Sequence, residues 1–129
     1  MTSATATRYQ IAISPVWAPF MLFIGATRAN SYAEIDGDEV RLRMGPGFNQ
    51  TISRANIIAA APISWSIFDG VGVRAGGRIV GLIGALGGVV ELQTRESVTL
   101  RFAGFPWTVR RIAISMEDPD AFIAAVTAL

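Results

Sequence analysis

"GRIVGLIGALGGVVEL", residues 77–92, is compatible with more than one architecture. From Ile79 to Val90, twelve consecutive residues carry no charge and no polar side chain. Three structures suit such a run: a membrane span, a phosphate-cradling glycine loop and a buried β-hairpin. A spanning helix needs ~20 apolar residues. This run is shorter, is bounded by Arg78 and Glu91, and holds Gly81, Gly84, Gly87 and Gly88, which weaken a helix. A phosphate loop joins a strand to a helix and usually carries a lysine. Here there is no lysine, and β-branched Val89 and Val90 stand where a helix should begin. The pattern predicts a hairpin, with strands at 79–83 and 89–94 around a glycine turn at 84–88. Such apolar strands are either covered on both faces or present the tip as a contact surface.

Strand patterns continue on both sides. Residues 8–14, "RYQIAIS", place Tyr9, Ile11 and Ile13 on one face. "SYAEID", 31–36, and "EVRLRM", 39–44, alternate around Asp36-Gly37, a favoured two-residue turn. Val40, Leu42 and Met44 point inward, Arg41 and Arg43 outward. Gly45-Pro46-Gly47 breaks the chain before a strand at 48–53. A turn at 54–56 and strands at 57–64, 70–74, 97–102 and 109–115 follow. The period then changes. Asp118 caps a helix, Pro119 suits its first turn, and Phe122, Ile123, Val126 and Leu129 share one face. The expected fold class is mainly β: about eight short strands in a small bent antiparallel sheet or barrel, with one C-terminal α-helix.

Composition sets the limits on chemistry. A chain of 129 residues makes one domain, 1–129, with a real core. The net charge of +1 leaves no basic footprint for nucleic acid. All eleven basic residues are Arg, a bias that suggests a GC-rich genome of the actinobacterial kind. There is no Cys, His or Lys. Disulfides, thiolate nucleophiles, Ser-His-Asp triads, Schiff bases and the Walker-A lysine are therefore excluded. An enzyme would have to use carboxylates, Tyr, Arg, Ser or Thr; Tyr32, Arg54 and Asp69 are the residues to try. The expectation is a non-enzyme without cofactor or metal. The short acidic stretch "EIDGDE" reads as a hairpin turn rather than a calcium loop.

Arg8 followed by "IAISPVWAPFMLFIGA" imitates a signal peptide. Pro15 and Pro19 interrupt that apolar stretch, and the strand-like alternation of 8–14 favours the first strand of a cytoplasmic protein. No segment reads as a transmembrane helix.

The order "SYAEIDGDEVRLRMG", "TISRANI", "GVVEL" and "AISMEDPDAFIAAV" resembles bacterial, chiefly actinobacterial, proteins with a pleckstrin-homology-like domain, over residues 30–129. That resemblance implies a strongly bent sheet of about seven strands capped by the last helix, and roles that often involve self-association. The last helix has no Trp, and Arg41-x-Arg43 has no leading lysine, so phosphoinositide binding is not implied.

Two groups of residues are candidate binding sites. Arg41, Arg43, Arg54, Arg74 and Arg78 would fork onto phosphate or carboxylate if they converge; otherwise they form a solvated face partnered by Asp38, Glu39 and Asp69. Trp17, Trp65 and Trp107 either fill the core or anchor an interface. Trp17 and Phe20 lie in "PVWAPFMLF", 15–23, which is proline-bent and poorly strand-like and reads as an exposed docking loop. Phe68 and "GFPW", 104–107, share that character. The leading reading is an interaction module that self-associates or binds a protein partner. A small-molecule or lipid-binding barrel, or a domain lying peripherally on a membrane through the apolar tip and the arginines, is the alternative.

Overall fold

The computed structural model describes residues 7–23, 25–65, 72–76, 79–102 and 104–127. The first layer begins with β1 (Thr7–Gln10), followed by a short helix, α1 (Ala18–Phe23), and a 3-10 turn (Arg28–Asn30). It continues through β2 (Ser31–Asp36), β3 (Glu39–Met44) and β4 (Phe48–Ser53). These strands form an antiparallel meander, β1-β2-β3-β4. Alternation buries Val40, Leu42 and Met44 on β3, as the sequence predicts. The β2–β3 turn is displaced by one residue from the expected Asp36-Gly37. Asp36 pairs with Glu39, leaving Gly37-Asp38 as the loop. Gly37 sits at φ 60, a conformation glycine adopts without steric cost.

A second 3-10 turn (Arg54–Asn56) leads to β5 (Ile57–Pro62), β6 (Gly72–Gly76), β7 (Ile79–Ile83), β8 (Val89–Phe102) and β9 (Phe105–Ser115). Helix α2 (Pro119–Thr127) ends the fold. Phe122 and Val126 of α2 are buried, and Phe122 meets the Tyr9 ring at 5.7 Å between centroids. Asp118 Oδ1 accepts the Ala121 N–H at 3.2 Å, the expected N-cap. The molecule is mainly β with one C-terminal helix, and its sheet does not close into a barrel.

The opening stretch folds differently from a hairpin. Residues 79–83 and 89–94 are strands, as expected, but they do not pair with each other. The order in the second layer is β8-β9-β7-β6, so β9 lies between them. β7 pairs with β9 in parallel, Gly81 opposite Ala113, and with β6 in antiparallel, Gly81 opposite Arg74. Residues 84–88 therefore cross the end of β9 instead of turning back. Their glycines permit backbone contact: a Cβ on Gly84 would stand 2.4 Å from the Ala12 carbonyl oxygen. A Cβ on Gly88, whose φ is +71, would stand 2.4 Å from that of Met116. The apolar run is also explained. Val80 and Leu82 join the main core, while Ile83 joins a second cluster with Val89 and Ala113, under Trp65. A strand covered on both faces reads as continuous apolar sequence.

β8 is one strand of 14 residues where the sequence suggests two. Its register slips midway: residues 94–97 stand opposite residue 110 of β9 alone. The two layers meet at Phe48–Phe102 and at the bridges Ile11–Met116 and Ile13–Gly84. Between them lies the main core, which includes Ile11, Leu42, Phe48, Leu92, Ile112 and Phe122.

Candidate functional site

Cross-strand register sets the outer face of the meander. Arg8, Glu34 and Arg41 stand side by side on β1, β2 and β3. The Glu34 side chain is only 11% exposed and accepts from both arginines, Arg8 Nε at 3.0 Å and Arg41 Nη1 at 3.0 Å. The Arg8 hydrogen bond, reinforced by Arg41, holds the Glu34 carboxyl below its usual range against the opposing effect of burial. Arg8 also lies over the Tyr32 ring, 4.1 Å from its centroid. Arg41 reaches Asp36 at 3.6 Å and Glu39 at 3.8 Å. Arg43 occupies the next row, between Tyr32 and Asn49. It is half-buried, and its Nε has no hydrogen-bond partner among the described residues.

Arg54 has a separate role. Its Nε donates to the Val126 carbonyl at 3.5 Å, its Nη2 to that of Ala125, and its Nη1 to that of Gly37 at 3.3 Å. It satisfies carbonyls that the end of α2 leaves without intrahelical partners, and ties them to the β2–β3 turn. Arg41 and Arg54 thus serve separate protein partners, and Arg43 stands apart from both. Glu34, absent from the sequence-based candidates, accepts from Arg41 and from Arg8 on the meander. The Arg74 side chain, Arg78, Phe68 and Asp69 lie outside the described residues.

The aromatic candidates divide by burial. Trp17 is half-buried and packs on the main core, and Trp65 packs on the second cluster. Trp107, opposite Leu100 on β8, is 43% exposed. The segment 15–23, read as a loop, contains α1, with Pro19 in the first turn where its missing N–H costs nothing. Met21 is fully buried and anchors the helix. The large apolar side chains around it are open: Phe20 is 50% exposed, Leu22 62% and Phe23 92%, and Val16, in the preceding turn, 76%. The other exposed large hydrophobics among the described residues are Ile58 and Trp107. The glycine-rich crossing offers no comparable apolar surface. Leu82 and Ile83 are fully buried, and Leu86 packs on the main core.

Two further contacts are not evident in the sequence. Ser115, fully buried, donates its hydroxyl to the Ala12 carbonyl at 3.0 Å and accepts the Gly84 N–H at 2.9 Å. Arg28 grips Glu117 with two hydrogen bonds of 2.8 Å, and this holds the Glu117 carboxyl below its usual range. Each joins segments far apart in the chain, which local pattern cannot reveal.

A cleft of about 200 Å³ lies beside the β8 register slip, lined by Ser97, Thr108, Val109 and Arg110. Among the described residues no helix is long and apolar enough to cross a membrane. No family model, curated protein or solved structure matches the chain.

Proposed function

We propose that this chain is a non-catalytic interaction module of the pleckstrin-homology-like kind, and that it binds a second copy of itself through the open face of α1. The observation that carries this reading is the exposure of Phe20, Leu22 and Phe23 on one short helix, and of Val16 in the turn before it, around the buried anchor Met21. Large exposed apolar side chains gathered in one short segment mark contact sites. Its charge pattern suits a like-to-like contact. No charged residue occurs between Arg8 and Arg28, so a two-fold pairing of α1 with α1 opposes no like charges. The missing Cys, His and Lys favour a binding role over a catalytic one.

Sedimentation velocity across a concentration series tests the reading. Wild type should shift from monomer to dimer. Burying a Phe contributes ~1.5–3 kcal/mol, and a two-fold dimer carries the substitution twice. Phe23→Ser should therefore weaken the dimer by roughly 100-fold or more and leave the fold intact, since the side chain is 92% exposed. A wild type that stays monomeric at high concentration contradicts the proposal.

A further inference from the structure

The register slip between β8 and β9 creates a second surface of distinct chemistry. Residues 94–97 bulge opposite residue 110. On β9 the alternation also slips: Val109 is buried, Arg110 and Arg111 both face solvent, and Ile112 is buried again. Arg111 turns to Glu91, 3.7 Å away. Arg8, Arg28 and Arg41 likewise have carboxylates, and Arg54 holds carbonyls. Arg43, Arg95 and Arg110 have no such partner among the described residues; of these three, Arg110 lines the cleft, together with the hydroxyl-bearing Ser97 and Thr108.

The walls of the cleft are braced. Asn56 pairs with both backbone groups of Glu96, donating from Nδ2 to its carbonyl at 3.1 Å and accepting its N–H on Oδ1 at 2.9 Å. Thr94 donates its hydroxyl to the Arg110 carbonyl at 3.3 Å. Thr99 and Thr108 share a hydrogen bond of 3.1 Å; when Thr99 is the donor, the Thr108 proton is free for a ligand. The bulge and its opposite residue, Arg95, Glu96 and Arg110, sum to one positive charge. Irregular strand pairing of this kind is common beside binding sites. At about 200 Å³ the cleft is below the ~300–1,000 Å³ of pockets for drug-sized ligands. It suits a single charged group.

We propose that this cleft binds a small oxyanion of the phosphate class, with the Arg110 guanidinium as counter-charge and the Ser97 and Thr108 hydroxyls as neutral donors. A guanidinium and hydroxyls are the donors that phosphate oxygens require. This site is independent of the α1 surface.

Titration of the full chain with inorganic phosphate, followed by amide shifts in 15N–1H NMR spectra, tests the proposal. Saturable shifts are expected at residues 94–98 and 108–111. Arg110→Gln should weaken binding roughly tenfold or more, the scale of a lost charge-assisted hydrogen bond. Thr108→Val should weaken it less, and Arg101→Gln should not change it. Glycerol 3-phosphate and vesicles containing phosphatidic acid distinguish a soluble ester from a lipid headgroup; competition by either for the same shifts supports the site. Binding of vesicles without any response to phosphate or glycerol 3-phosphate overturns the proposal. So do shifts scattered over the surface arginines, or an Arg110→Gln variant that binds as wild type does. The unchanged remainder of the spectrum reports that each variant is folded.

Discussion

Ser115 shows how one buried hydroxyl can join three segments. It accepts the Gly84 N–H and donates to the Ala12 carbonyl, while its own carbonyl accepts the Ala12 N–H at 2.8 Å. Ser115→Ala leaves the buried Gly84 N–H and the part-buried Ala12 carbonyl short of a partner. It should cost about 1–3 kcal/mol, read as a lower urea midpoint with an unchanged slope. Glu34 gives a pH-dependent test. Its folded pKa lies below the ordinary value near 4.5, chiefly because Arg8 hydrogen-bonds the carboxylate. The folded state therefore takes up the proton less readily than the unfolded state. The stabilisation is complete above that ordinary value and is lost as pH falls through the folded one. Glu117, held by Arg28, adds to the same acid limb. Melting temperature should drop below about pH 5 in wild type. The fall should be shallower in Glu34→Gln and shallower again with Glu117→Gln added.

The elements divide into those set by local pattern and those set by distant partners. In the crossing at 84–88, Gly84→Ala should cost roughly 1–3 kcal/mol from overlap with the Ala12 carbonyl. Gly88→Ala should cost more, because a positive φ adds to its overlap with Met116. Gly87→Ala, with nothing within 4 Å of its Cβ, should stay within about 0.5 kcal/mol. Equal tolerance at 84, 87 and 88, measured by thermal unfolding, would contradict the crossing. β2 and β3 occupy the residues that alternation predicts, and β4 follows the Gly45-Pro46-Gly47 break as expected; β3 shows the alternation in its burial most plainly, with Val40, Leu42 and Met44 buried and Arg41 and Arg43 partly exposed. α2 is equally legible from its cap and its apolar spacing. The pairing of β7 was not legible. A strand apolar on both faces carries no mark of its neighbours, and β9, which separates β7 from β8, lies further along the chain. α1 was hidden for a different reason: its 6 residues are too few to establish a helical period, and Pro15 and Pro19 read as breaks. On the candidate surface, the sequence pointed to segment 15–23 and to Phe20. It favoured Trp17 over Phe23, since side-chain direction depends on a helix it could not reveal.

At the scale of the whole molecule, three polar ties hold the parts in place. Ser115 links β9 to the crossing, Arg28 links the 3-10 turn at 28–30 to Glu117, and Arg54 links the end of α2 to the β2–β3 turn. With the core closed in this way, α1 presents apolar side chains outward with no described element over them. The net charge of +1 gives two copies little long-range repulsion. The most direct measurement replaces Phe23 with p-benzoyl-phenylalanine and irradiates the purified protein, followed by peptide mapping of the product. Pairing through α1 should give a light-dependent covalent dimer whose cross-link joins position 23 to residues 15–25 of the second copy. A product that remains monomeric, or a cross-link mapping to a surface remote from α1, would contradict it.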